Sequence, residues 1–211
     1  RTFRHDKDEP TMWENSYYVG GSDDGVLETP AGPVGVALCW ELVRSRTARR
    51  LRGRVDAVVG GSCWWDLRLP VSPEYAGEQE KLIALLRNAP GRLARMLGVP
   101  VVHASHAGEF EGLTPGNESV PYVSRYLGES QIVDGSGRVL ARMACEDGEG
   151  VITAEITPGR AAGATVPIPE TFWTGELPPM AVKAWERLNL LGRQYYEETV
   201  RPLLEGGPAS G

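Results

Sequence analysis

Two short apolar runs separated by a basic, helix-like stretch constrain this chain more than any other feature. In Ala31-Gly-Pro-Val-Gly-Val-Ala-Leu-Cys39, the residues Val34, Val36 and Leu38 alternate with smaller ones, the pattern of a buried strand. Asp56-Ala-Val-Val-Gly-Gly61 is a second such run. Between them, Leu42–Leu51 is helical in composition and amphipathic in spacing, and Gly53 offers a C-cap just past Arg52. Strand, helix and strand in this order predict a crossover, and so a parallel pair. The fold class is therefore α/β. The turn Pro30-Ala31-Gly32-Pro33 folds Val26–Thr29 onto Val34–Leu38 as a hairpin.

The rest of the chain extends this plan. Residues 1–7 read as a short strand entering a loop, and Pro10 blocks any ladder beyond it. Residues 73–97 read as helical with a break at Asn88-Ala-Pro-Gly91. Val99–Ser105 is a third buried strand, and His106–Val120 reads as a loop rich in Gly, Glu and Pro. Ser130–Asp134 and Arg138–Arg142 flank Gly135-Ser136-Gly137 as an antiparallel hairpin, and Val151–Ile156 is expected to be the last strand. A linker leads to one long helix, Met180–Leu204, with Val182, Trp185, Leu188, Leu191 and Tyr195 on one stripe. The expected division is 1–158 as the main domain and 159–211 as a linker and C-terminal helix for packing or oligomerisation.

With 211 residues, 41% of them hydrophobic, the chain is long enough to bury a real core. A net charge of −6 argues against nucleic acid or an anionic membrane as partner, and no apolar run approaches bilayer length. The cysteines (Cys39, Cys63, Cys145) are odd in number and widely spaced, with no C-x-x-C pairing. No metal or cofactor is expected, and a reducing, cytoplasmic setting is. The chain opens on Arg1 rather than Met and shows no signal peptide, so it is expected to begin inside a longer protein.

Cys39 stands where a strand gives way to a helix, near the positive end of a helix dipole that favours thiolate. A free cysteine in an apolar strand is more often an inert core residue, so companion groups decide its meaning. A cysteine acyl-transfer site needs a nucleophile, a group that moves protons, and donors for the oxyanion. Neither His103 nor His106 has a spacing that marks it as the base. Lys7 and Glu14, in the polar loop before the first strands, offer another route. In a Cys–Lys–Glu set a carboxylate takes the thiol proton and an ammonium stabilises the oxyanion. Ser62, Cys63 and Trp64 follow the second parallel strand, where ligands of α/β folds gather, and are candidate substrate-binding residues.

Three stretches together resemble the carbon–nitrogen hydrolase (nitrilase) superfamily. His5-Asp-Lys7-Asp-Glu-Pro10-Thr11-Met-Trp-Glu14 is similar to its lysine loop, and Gly35-Val-Ala-Leu-Cys39-Trp40-Glu41 to its nucleophile strand. Gly128-Glu-Ser130-Gln-Ile-Val-Asp-Gly-Ser-Gly137-Arg-Val-Leu-Ala141 is similar to its late hairpin. The resemblance implies the later part of a four-layer α-β-β-α sandwich. It implies Cys39 as nucleophile, Lys7 as the oxyanion-stabilising lysine and Glu14 as the glutamate that fixes lysine and substrate. The Trp40 main-chain N–H would complete the oxyanion hole. The implied reaction is hydrolysis of a small-molecule amide, carbamoyl compound or nitrile through a thioester, by a homo-oligomer.

The family's general-base glutamate precedes the lysine. Nothing before Lys7 fills that place, so the base is expected outside this chain and the chain alone is expected to be inactive. Two departures bear on the substrate. Leu42-Val-Arg-Ser-Arg46 stands where nitrilases carry Asn or His and then Pro-Leu, and Ser62-Cys63-Trp64-Trp65 replaces a small-residue and proline pattern. An amidase is therefore expected before a true nitrilase. From a different class, the alternative is a non-catalytic or truncated homologue that serves as a binding or assembly module.

Overall fold

The alternation that leads up to Cys39 is realised as the second strand of a six-stranded sheet. The structure, a computed structural model, describes residues 4–65, 77–114, 117–161, 165–170 and 177–206. Strands β1 (Val26–Thr29) and β2 (Gly32–Leu38) form the expected hairpin. Helix α1 (Ser45–Leu51) then crosses over to β3 (Ala57–Ser62), which pairs parallel with β2, Leu38 beside Gly61. Helix α2 (Glu78–Leu97) returns to β4 (Val101–Ser105), parallel to β3. Strands β7 (Ser130–Val133) and β8 (Val139–Met143) complete the order β1-β2-β3-β4-β7-β8.

Register divides the sheet into two faces. Ala37, Val58, Val101 and Val133 share one face and pack with Leu51 of α1 and Leu85, Leu86, Leu93 and Leu97 of α2. Val34, Val36, Val59 and Val102 share the other, where Val59 is 41% exposed. Gly60 is required where it stands. A Cβ there would lie 2.1 Å from the Ala37 carbonyl oxygen, so glycine lets β3 close against the strand that carries the nucleophile candidate.

Several expectations are corrected. Helix α2 runs unbroken through Pro90. An interior proline costs about 3 kcal/mol, but Leu82, Leu85, Leu86 and Ala89 before it and Leu93, Ala94 and Leu97 after it are all buried. Each buried leucine returns about 1.5–3 kcal/mol, so the apolar stripe wins. The stretch 106–120 is not a loop: β5 (Glu109–Thr114) and β6 (Asn117–Arg125) pair antiparallel as a separate ribbon. Phe110 stacks on Tyr126 with ring centroids 4.7 Å apart, which the Gly and Pro content of the sequence obscured.

Conversely, Val151–Ile156 joins no strand, and Val151 is 88% exposed. Residues alternate as a strand would, but strand β8 is left without it, and alternation without a ladder partner makes no strand. Of the strand expected over 1–7, residues 4–7 form none, and residues 1–3, like 73–76 of the expected helix, lie outside the described residues.

The C-terminal helix is present in three pieces, α3 (Pro179–Tyr195), a π-helical turn (Tyr196–Val200) and α4 (Arg201–Glu205). Val182, Trp185 and Leu188 of the expected stripe pack against the core, whereas Leu191 and Tyr195 are exposed. The contact surface turns instead through Gly192, whose lack of a side chain hid it from any hydrophobic pattern.

Candidate active site

Strand β2 ends in a tight 3-10 turn, Cys39–Val43, and Cys39 itself adopts φ 54°, a left-handed conformation that L-residues avoid. That backbone costs of order 1–3 kcal/mol and is held by the surrounding contacts. It turns the Cys39 side chain into a cavity of about 710 Å³ at the carboxyl ends of β2, β3 and β4. Lys7, Thr11 and Glu14 line the same cavity, as do Ser62 and Cys63.

The Lys7 side chain is almost fully buried. Its Nζ donates to Thr11 Oγ1 at 3.1 Å and to Glu14 Oε2. The same Glu14 oxygen accepts the Thr11 main-chain N–H at 2.7 Å. Glu14 is thereby committed to the lysine and to its own turn. Burial pushes the Cys39 thiol pKa up; Lys7 pulls it down, Glu14 pushes it up again, and the main-chain N–H groups of Cys63 and Trp40 lower it. The net direction is upward, so the resting sulfur is a thiol. Tyr18, also on the cavity wall, is raised by burial and then by the Glu14 carboxylate.

The motif glutamate Glu41 and the unusual Arg44 have structural work that sequence reasoning did not reach. Glu41 is fully buried, and its carboxylate accepts the Leu38 N–H at 2.7 Å, the Asp8 N–H at 2.8 Å and the His5 ring Nε2 at 3.1 Å. One side chain thus ties the end of the nucleophile strand to both flanks of Lys7. Arg44, at the departure from the family pattern, donates to the Asp8 carboxylate, to the Glu9 carbonyl at 3.1 Å and to Thr11 Oγ1 at 3.2 Å. The departure serves to anchor the lysine loop. The signal was available only as charge: an acidic loop (Asp8, Glu9) and a basic helix start that the fold brings together.

Trp64 does not stand where the sequence suggested. It is 2% exposed, its ring tilted against that of His103 with centroids 5.2 Å apart, and Trp65 lines the cavity instead. Trp40 lines the cavity, although only 6% exposed. Trp13, Tyr17, Ser105 and His106 also line it. Ser62 Oγ lies 2.8 Å from His103 Nε2, and burial depresses that histidine to about 4, so its ring is neutral near pH 7. Cys145 is outside the cavity lining, with its Sγ donating to the Tyr126 carbonyl at 3.4 Å. Among the described residues, no cluster of His, Cys, Asp and Glu could hold a metal ion.

A cysteine in a strand-end turn, a buried lysine and a loop glutamate thus meet at one end of an α/β sheet. The profile of the carbon-nitrogen hydrolase family matches residues 2–165, and the chain belongs to that family. A carbon-nitrogen hydrolase from Helicobacter pylori G27 is similar in fold, at 24% identity and TM-score 0.57, over 72% of this chain and 50% of that one. An amidase mutant from Nesterenkonia sp. AN1, with the acetamide moiety of fluoroacetamide added covalently at its active-site cysteine, aligns at 16% identity and TM-score 0.42. That alignment covers 63% of this chain and 41% of the amidase. Nit3 from Saccharomyces cerevisiae, in the nitrilase superfamily, aligns at 20% identity and TM-score 0.38, over 62% and 40%. The chain spans half or less of the length of each. No curated protein matches it.

Proposed function

We propose that the protein hydrolyses a non-peptide carbon–nitrogen bond in a small-molecule amide, carbamoyl compound or nitrile through a thioester at Cys39. One observation carries this reading. Lys7 and Glu14 of one loop line the same cavity as Cys39, which is distant from both in sequence, with Lys7 Nζ held between Thr11 and Glu14. The Cys39 sulfur attacks the carbonyl carbon, and the oxyanion is met by the Lys7 ammonium and the Trp40 N–H. The amine leaves with a proton, and water then cleaves the thioester and restores the thiol. Glu14 holds the lysine in place. Ser62, Cys63 and Trp65 contribute to the substrate wall, which is rich in aromatic rings and suits amides with an apolar acyl group.

Glu14 is the only carboxylate among the described residues lining the cavity, and it is bound to Lys7. With the thiol pushed up by burial, proton removal from Cys39 falls to a carboxylate beyond these residues. That observation favours an enzyme that needs more than this chain. It also keeps one alternative open, a non-catalytic homologue serving in binding or assembly. The test is ammonia release by the full-length protein from a panel of amides, carbamoyl compounds and nitriles. Turnover that disappears in Cys39→Ala supports the enzyme, with amides expected before nitriles. A folded full-length protein inert on the whole panel supports the module.

A further inference from the structure

The turn that carries Glu14 is also held by the C-terminal helix. It begins at Met12 with φ 53° and runs to Ser16, and Met12 and Asn15 are both nearly fully buried. Asn189 of α3 reaches in with a single oxygen. Its Oδ1 accepts the Met12 main-chain N–H at 2.7 Å and the Asn15 side-chain N–H at 2.8 Å. Asn15 in turn donates to the Met12 carbonyl at 2.9 Å and accepts from Arg193 Nε at 3.2 Å. Gly192 makes the approach close enough. A Cβ there would stand 2.9 Å from Asn15 Cβ, 3.1 Å from the Met12 carbonyl oxygen and 3.2 Å from the Ser16 nitrogen.

Thr11 and Glu14, the two partners of Lys7 Nζ, flank and occupy this turn. A displacement of the turn displaces the ammonium. Helix packing by itself needs no polar acceptor aimed at a main-chain N–H. Removing that acceptor would leave the buried Met12 N–H unpaired and take one acceptor from the Asn15 amide.

We infer that Asn189 is a positioning residue for the Lys7–Glu14 pair, so that the C-terminal helix serves the active site through the Met12–Asn15 turn. The inference rests on the reading of Cys39 and Lys7 given above, and its test uses a readout that needs no turnover. The rate of Cys39 alkylation by iodoacetamide is followed against pH by site-resolved mass spectrometry, with thermal midpoints measured alongside. Asn189→Leu keeps the shape and removes the acceptor; Asn189→Asp keeps an acceptor oxygen.

With Lys7 loosened, the alkylation profile of Asn189→Leu moves to higher pH. At a fixed pH below the midpoint its rate falls about threefold, the effect of half a pK unit. Asn189→Asp stays close to the parent profile. Gly192→Ala, which pushes on the turn directly, shifts the profile in the same direction and carries the comparison if Asn189→Leu does not fold. A folded Asn189→Leu or Gly192→Ala with the parent profile overturns the inference, as does an equal shift in Asn189→Asp. Absence of hydrolysis by the unmodified full-length protein would overturn the hydrolase reading instead and leave the alkylation result to stand.

Discussion

Glu41 accepts the main-chain N–H of Asp8 at 2.8 Å, so the residue after Lys7 is bonded to the turn that starts at Cys39. Cys39 and Lys7 are therefore set against each other by a buried carboxylate two residues along from Cys39. Its charge is supported by His5. Burial pushes the Glu41 pKa up, but His5 and the Leu38 and Asp8 N–H groups outweigh it and hold it low.

Removing that carboxylate has a defined cost. Glu41→Ala leaves His5 buried with a lost partner and two main-chain donors unsatisfied, which is expected to destabilise the fold by about 3–5 kcal/mol. Urea unfolding of the variant measures it. A change below about 1 kcal/mol, the scale of a surface pair, would contradict the role.

Two histidines shape the pH dependence of stability. The Glu41 carboxylate, against burial, and then Asp23 raise His5 above its ordinary 6.5. A raised histidine contributes its stability below the unfolded pKa and loses it as pH rises through the folded one. Burial lowers His103 from 6.5 to about 4. Its contribution is complete above 6.5 and is lost as pH falls toward 4, by about 3 kcal/mol in all. Unfolding midpoints are thus expected to peak near pH 6.5 and decline on both sides. His103→Gln should make the acid limb shallower and His5→Asn the alkaline limb. Limbs unchanged in both variants would refute the assignment.

Lys7 is expected to act on the transition state. Lys7→Ala in the full-length protein should raise the acylation barrier by about 2.7–4 kcal/mol, as loss of one oxyanion-hole donor does. Single-turnover kinetics on a variant with an unchanged circular dichroism spectrum provides the check, and an undiminished acylation rate would remove Lys7 from the oxyanion hole.

The 211 residues expressed alone are expected to show no turnover on the same amides. Among the described residues lining the cavity the one carboxylate, Glu14, is committed to Lys7, and burial pushes the Cys39 thiol up. Self-association is expected as well, because Val59, Val139, Leu203 and Leu204 expose apolar surface. Light scattering and an ammonia assay test both points. Monodisperse, active protein would show that the base lies within this chain.

The sequence exposed the strand–helix–strand centre because alternation, a basic helix and Gly53 all agree there. It marked Cys39, Lys7 and Glu14 as candidates because their local motifs resemble one family's. It did not expose Arg44, Glu41 or Asn189 as parts of the same site. Their partners are Thr11, Asp8 and Met12, distant in sequence, and a hydrogen bond between distant residues leaves no periodic trace. Trp64 and Trp65 were exchanged for a simple geometric reason: neighbours beyond a strand end point opposite ways, and composition does not say which faces the cavity. Val151–Ile156 shows the converse, a run with strand periodicity that no ladder receives.

The claim on which the rest depends is that Cys39 is the residue acylated by substrate. Full-length protein is incubated with an electrophilic amide such as fluoroacetamide or acrylamide, then digested and mapped by mass spectrometry. The expected adduct lies on Cys39, is absent in Cys39→Ala, and leaves Cys63 and Cys145 free. An adduct on Cys63 with Cys39 unmodified would contradict the account.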